Sequence, residues 1–163
     1  MTSGSREETF AAWLQEHHAI LHKVARSFSA APAEQDELVQ DIRLALWHAL
    51  PAFDGRSKPS SYIYRIALNR ALSWKRHRRT YRAKLAQLEN EPLPANGPDP
   101  DPRLELIYAE IRHLDGVERS LILLQLDGFT YDEIGETLGL SPTNVGARLT
   151  RIRQKLAANL KDK

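Results

Sequence analysis

The chain is 163 residues long, 42% of them apolar, with a formal net charge of only +2 at neutral pH. That length suits one medium domain or two small ones with a hydrophobic core, and the overall charge decides nothing. Cysteine is absent, which excludes disulfides, thiolate metal sites and a cysteine nucleophile. No apolar run approaches the ~18 residues of a membrane span, so no membrane insertion is expected. The opening MTSGSREETF has no apolar segment behind its charges, unlike a secretory leader. A reducing, cytoplasmic setting is expected.

In the first segment Phe10, Trp13, Leu14, His17, Ile20, Leu21, Val24, Ala25 and Phe28 recur at helical steps, which predicts an amphipathic helix. A second helix follows Pro32 and stops at Pro51, acidic in its first turns where the helix dipole favours negative charge. Its inward stripe can be filled by Leu38, Ile42, Ala45, Ala49 and Leu50. Leu44 and Trp47 then lie to one side, beside Glu37, Gln40 and Asp41. Such a stripe can be wide enough to bury Trp47. Left exposed, the two apolar residues rimmed by carboxylates and an amide would form a docking surface for another protein.

A third helix is expected near SSYIYRIALNRALSWKRHRR, with a serine as N-cap. Its tail belongs to an unusual charge distribution. Residues 1–54 hold 4 basic and 8 acidic side chains, residues 55–88 hold 10 basic and none acidic, and residues 89–163 hold 9 basic and 13 acidic. A helix dipole accounts for one or two C-terminal cations, whereas SWKRHRRTYRAK carries six. That concentration points to a polyanion. Trp74 and Tyr81 inside the block, with Tyr62 and Tyr64 just before it, suit stacking on the bases of an opened strand.

Five of the nine prolines fall within ENEPLPANGPDPDP, residues 89–102. Neither helix nor sheet passes through such a segment. As a semi-rigid linker it would reach roughly 40 Å at about 3.1 Å per residue, so a unit over residues 5–88 and another over residues 103–163 could hold separate sites.

After two short helices, RLELIYAEIRHL and GVERSLILLQLDGF, comes TYDEIGETLGLSPTNVGARLTRIRQKL. Thr130 with Glu133 reads as a capping box. Gly135 leaves room for a second helix to approach, and Gly139 can take a left-handed turn. Ser141 and Pro142 then supply the N-cap and first position of the next helix, which buries Val145, Leu149, Ile152 and Leu156. This is the signature of a helix-turn-helix. Thr143, Asn144, Ala147, Arg148 and Arg151 face outward, and Arg153 and Lys155 add to the positive charge. Asn pairs with adenine, Arg with guanine, and an alanine methyl can meet thymine. The expected fold is therefore all-α, two small helical domains joined by a Pro-rich linker, the second containing the helix-turn-helix.

DELVQDIRLALWHALPAFDGRSKPSSYIYRIALNRALSWKRHRR resembles the second region of bacterial RNA polymerase sigma factors, and LILLQLDGFTYDEIGETLGLSPTNVGARLTRIRQKL resembles their fourth. The likeness spans about Phe10 to Leu160. A short linker with no room for an intervening third region is similar to the extracytoplasmic-function group of the sigma-70 family.

The resemblance implies a non-enzymatic initiation factor that binds core RNA polymerase and promoter DNA, and that an anti-sigma factor restrains. Asp36, Gln40, Asp41, Leu44 and Trp47 would dock on the polymerase. Asn69, Arg70, Trp74 and Arg76, with Tyr62 and with Arg56 and Lys58 of the loop FDGRSKPSS, would engage the −10 element, the loop cradling a flipped base. Thr143, Asn144, Ala147, Arg148, Arg151 and Arg153 would read the −35 duplex, while the helices around Leu121 to Leu126 would approach the polymerase flap. Many members carry a Phe and a Trp where this chain has Pro59, Ser60 and Tyr62, so their −10 base preference is not carried over.

Two other readings use less of the sequence. A stand-alone helix-turn-helix regulator leaves the basic third helix without purpose. A metal on His18 and His22, spaced i, i+4, lacks the third ligand a protein site needs. No metal or cofactor is expected.

Overall fold

The computed structural model describes residues 3–86 and 101–162; residues 89–100 of the expected linker lie outside them. Among the described residues the elements are helical: α1 (Ser3–Phe28), α2 (Pro32–Ala49), a single 3-10 turn (Leu50–Ala52), α3 (Pro59–Ala86), α4 (Pro102–His113), α5 (Gly116–Leu126), α6 (Tyr131–Leu138) and α7 (Pro142–Lys161).

α1, α2 and α3 pack on one another as a three-helix bundle. α1 buries Trp13, Ile20, Leu21, Val24, Ala25 and Phe28, close to the expected stripe, but His17 leaves helical geometry (φ −123°, ψ 15°) and kinks the helix. α2 starts on Pro32, whose fixed φ and missing N–H suit a first helical position. Its buried residues are Leu38, Val39, Ile42 and Leu46. The expected Ala45 and Ala49 are only half-buried, because the larger side chains of a helix with neighbours on two sides take the deep positions. α3 begins on Pro59, one residue before the serine expected to cap it, and buries Ile63, Tyr64, Ala67, Leu68, Ala71 and Trp74.

In the second half, Asp101 caps α4 by accepting from the Arg103 amide (2.9 Å). Asp115 and Glu118 form a reciprocal capping box at the start of α5, satisfying amides that the helix itself cannot. The helix-turn-helix has the expected geometry. Gly139 sits at φ 73°, ψ 35°, the left-handed region that suits glycine. A Cβ on Gly135 would lie 2.4 Å from the Leu140 carbonyl oxygen, so only glycine lets the turn close there. Ser141 accepts from the Asn144 amide (3.2 Å) and Pro142 opens α7.

The expected box at Thr130 is only half made. Thr130 accepts from the Glu133 amide (3.2 Å), but the Glu133 carboxylate does not return to the cap. It accepts instead from Lys58 (2.9 Å), in the loop before α3.

The two halves pack directly against each other. Asp127, at the end of α5, accepts from the Tyr64 phenol of α3 and from Lys23 of α1. Burial first, and then this bond to Asp127, push the phenol's pKa upward and keep Tyr64 a donor. Phe129 meets the Tyr64 ring edge-on with centroids 5.4 Å apart, and Leu72 lies where a Cβ on Gly116 would be (2.3 Å). Arg26 reaches Glu105 (3.0 Å), and Arg112 donates to the Arg26 carbonyl (3.1 Å).

Arg119 is the least expected member of this seam, only 1% exposed. One terminal nitrogen donates to the Arg112 and Leu114 carbonyls at the end of α4 (2.8 Å each). Its guanidinium lies 4.5 Å from the Phe28 ring of α1. Burial lowers its pKa to about 10, which leaves it charged at neutral pH. A buried cation is tolerated there because helix C-terminal carbonyls and an aromatic face both favour positive charge.

Replacing Gly135 by Ala should cost about 1–3 kcal/mol through overpacking against the Leu140 carbonyl. Thermal denaturation would check this, with Gly4→Ala, which meets open space, as the control expected to melt like the parent.

Candidate nucleic-acid interface

The basic block does not present one uniform surface. Arg65, Asn69 and Arg76 are exposed and fall within roughly 40° of one another at 100° per residue, forming a stripe along α3. Arg70 turns toward α2, where it lies 3.5 Å from Asp41. Arg78 pairs with Glu34 (2.9 Å) and approaches Glu37 (4.0 Å). Lys75 has its pKa lowered, first by burial and then by Arg119 and Arg79. The acids of α2 therefore neutralise one side of α3 and leave the other cationic.

The aromatic residues correct an expectation. Tyr64 is fully buried, and Tyr62 and Trp74 are each 8% exposed, so their ring faces are not open for stacking in this conformation. Tyr62 packs beside Trp13 and Phe53 and donates to the Ala49 carbonyl (2.8 Å). Trp74 lines a cleft of about 250 Å³ with Asp41, Arg70, His77 and Tyr81. Tyr81, 53% exposed, is the ring of this set that remains available. Large aromatics so close to the bundle are worth more as core than as surface.

The loop before α3 rests on this aromatic floor. Phe53 stacks edge-on against Trp13 (5.0 Å). Asp54 accepts from the Arg56 amide (3.0 Å), and Gly55 takes φ 78°. Arg56 and Lys58 project from the turn, 90% and 65% exposed at the side chain. A cleft of about 480 Å³ opens here. Arg56, Lys58, Ser61, Tyr62 and Arg65 form one wall, and Glu133, Glu136 and Thr137 of α6 form the other.

On α2, Asp36, Gln40 and Leu44 are exposed, while Asp41 and Trp47 are half-buried. Trp47 is sandwiched by α1: the Arg6 guanidinium lies 4.0 Å from its ring and Phe10 meets it edge-on at 5.2 Å. Leu44, 57% exposed, is the open apolar centre of this patch.

On α7, Thr143, Asn144, Ala147 and Arg151 are exposed and Arg148 is half-buried. Arg148 donates to the Asn144 side-chain oxygen (2.9 Å), which fixes the orientation of that amide. These residues share a cleft of about 230 Å³ with Asp115 and Glu118. Arg153 lies on a different face of the helix: it donates to Gln125 (3.2 Å) and to the Tyr131 hydroxyl (3.0 Å), tying α7 to α5 and α6. Lys155 likewise pairs with Glu118 (2.6 Å).

His18 and His22 stand with ring centroids 6.3 Å apart, and no group of three or more potential metal ligands occurs among the described residues. Nor is any helix among them long and apolar enough to cross a membrane. The arrangement offers cations, amides and hydroxyls on surfaces, which suits binding a polyanion. Reasoning from sequence missed Arg119 and the Glu133–Lys58 pair. The first carries no local signal of burial, and the second joins residues distant in the chain.

Comparison with known proteins accounts for both halves. Residues 6–81 match the family description "Sigma-70 region 2" and residues 104–156 match "Sigma-70, region 4". The RNA polymerase sigma factor NccH of Alcaligenes xylosoxydans xylosoxydans is 33% identical over 160 residues, covering 93% of this chain and 86% of that protein. The RNA polymerase sigma factor CnrH of Cupriavidus metallidurans is 32% identical over 171 residues, 97% and 90% of the two chains. The solved structure of CnrH with the cytosolic domain of CnrY superposes with a TM-score of 0.69 at 30% identity, covering 96% of this chain and 90% of that one. That of the sigma factor RpoE with the anti-sigma factor NepR from Bartonella quintana gives 0.77 at 22% identity, covering 94% and 98%. With both regions in order on one chain and relatives aligned along nearly all of it, this protein belongs to the sigma-70 family of RNA polymerase sigma factors, in its extracytoplasmic-function group.

Proposed function

We propose that the chain binds core RNA polymerase through the α2 patch around Leu44 and delivers it to promoters by two separate DNA contacts. Thr143, Asn144, Ala147, Arg148 and Arg151 of α7 read the −35 duplex in the major groove. Arg56 and Lys58, with the α3 stripe of Asn69 and Arg76, hold the −10 element and the strand released from it. The observation that carries this reading is the pairing, in one chain, of a pre-oriented Arg148–Asn144 couple on a helix-turn-helix with an exposed cationic loop over an aromatic floor.

Base edges are read by paired donors and acceptors, which the Asn144 amide and Arg148 supply. Backbone charge is met by exposed Arg and Lys through counterion release, a term blind to sequence. Opening is then favoured by preferential affinity for the unpaired strand. The factor makes and breaks no bond itself; the polymerase supplies the chemistry, in the cytoplasm where transcription takes place. Arg70 is shared between surfaces, since its partner Asp41 lies in the polymerase patch. Arg153 acts by holding α7 against α5 and α6. CnrH and RpoE have been solved with CnrY and with an anti-sigma factor, and a protein of that kind is proposed to restrain this chain as well.

Run-off transcription with core polymerase, this protein and genomic fragments should yield discrete start sites absent with core alone; no added start site would overturn the reading. On a duplex carrying a promoter found in this way, Arg148→Ala should cost ~1–3 kcal/mol relative to an unrelated duplex. Arg153→Ala should lower the melting temperature and leave that discrimination unchanged, as checked by equilibrium binding and thermal denaturation.

A further inference from the structure

We propose that Asp115 and Glu118, at the start of α5, are specificity-determining residues for duplex reading: their carboxylates make Arg148 and Arg151 of α7 poor partners for phosphate while leaving them good partners for a base edge. The inference rests on the reading of α7 as the −35 contact.

The first support is position. Asp115 and Glu118 share a cleft of about 230 Å³ with Asn144, Arg148 and Arg151. At 100° per residue these three α7 residues lie within roughly 60° of one another, so the acids flank a single stripe of the reading helix. Lys155, one turn beyond Arg151 on that stripe, pairs with Glu118 (2.6 Å) and holds its carboxylate against α7.

The second support is what the acids do to the end of α5. A helix N-terminus attracts phosphate through its free amides and its dipole. Here Asp115 accepts from the Glu118 amide (2.8 Å), and Glu118 accepts from the Asp115 amide (3.2 Å). The capping box fills two amides with carboxylate oxygens. It also sets two negative charges where a phosphate would otherwise be favoured.

The third is the chemistry of the two targets. A carboxylate repels an anionic phosphate across a few ångströms, whereas a base edge carries no net charge to repel. Nonspecific binding rests on phosphate contacts, and sequence is read by matched donors and acceptors on base edges. Acids beside the arginines therefore weaken the first kind of contact more than the second. Among the described residues Arg148 is held only through Nε, which donates to Asn144 (2.9 Å), so its terminal nitrogens stay free for a guanine. The Glu118 side chain is 18% exposed, and salt screens such a partly buried charge less than an open one.

The test uses the full-length chain bound to core polymerase and a promoter fragment located by run-off transcription. The fragment is made in two versions, one native and one with the −35 segment scrambled at constant composition. Polymerase and −10 contacts are common to both, so the ratio of the two affinities, read by fluorescence anisotropy, isolates α7. Asp115→Asn/Glu118→Gln removes both charges and keeps side chains able to cap the helix. It should lower the native-to-scrambled ratio at least about threefold, as expected for two partly exposed charges, chiefly by tighter binding of the scrambled fragment. Asp115→Ser, a second uncharged cap, should shift the ratio in the same direction. Glu7→Gln/Glu8→Gln removes the same charge from exposed positions on α1 and should leave the ratio unchanged.

An unchanged ratio in the α5 variants, an equal gain on both fragments, or an equal shift in the α1 control would overturn the proposal. Its failure is separable from failure of the −35 reading. Arg148→Ala should lower the ratio whether or not the acids act as proposed. If that variant keeps the parent's ratio, the −35 reading falls and the role of the acids falls with it.

Discussion

The carboxylate of Asp127 is the most connected polar link between the two halves of this molecule. Asp127 closes α5 and accepts from the Tyr64 phenol and the Lys23 ammonium, so the turn that launches the helix-turn-helix is tied at once to α3 and α1. Around it the seam adds a Tyr64–Phe129 edge contact, Leu72 against Gly116, Arg119 over Phe28, and the Arg26–Glu105 and Lys58–Glu133 pairs. The buried residues of both halves join in one cluster, with Leu38, Ile42 and Leu68 on one side and Leu121, Val145 and Leu149 on the other. Hydrogen bonds and ion pairs thus accompany the apolar packing where the halves meet.

Charge in the first half has a similar economy. The acids of α2 hold Arg70 and Arg78, while Arg65 and Arg76 remain open to solvent. That division lets one helix serve a protein surface and a nucleic-acid surface without a large uncompensated field. On α7 the split runs around the helix: Arg148 and Arg151 face outward with Asn144, while Arg153 and Lys155 are spent on α5 and α6. Identical side chains therefore differ in use according to the few ångströms around them.

The helices and the helix-turn-helix were legible in the sequence because their causes are local. Apolar periodicity places α1 and α2, Pro32 and Pro142 mark helix starts, and Gly135 and Gly139 shape the turn. What was not legible depended on contacts across the chain. Glu133 has the sequence of a cap residue, and its link to Lys58 exists only when the halves meet. Tyr62, Tyr64 and Trp74 look like stacking rings beside a basic block, yet the bundle needs their area and buries them. Arg119 reads as a surface charge until the carbonyl ends of α4 are placed beside it. The Pro-rich segment suggests halves held apart, but a long tether also lets them fold together.

The proposed promoter reading requires that the halves, packed together in the free chain, part when the chain binds core RNA polymerase. With no native cysteine, two spin labels can be placed at Ala33→Cys and Gln154→Cys, both exposed and on opposite halves. Their separation can then be read by pulsed dipolar spectroscopy. One short, narrow distance is expected in the free protein and a clearly longer one on core RNA polymerase. A distance unchanged by the polymerase, or a broad long distribution in the free chain, would contradict it.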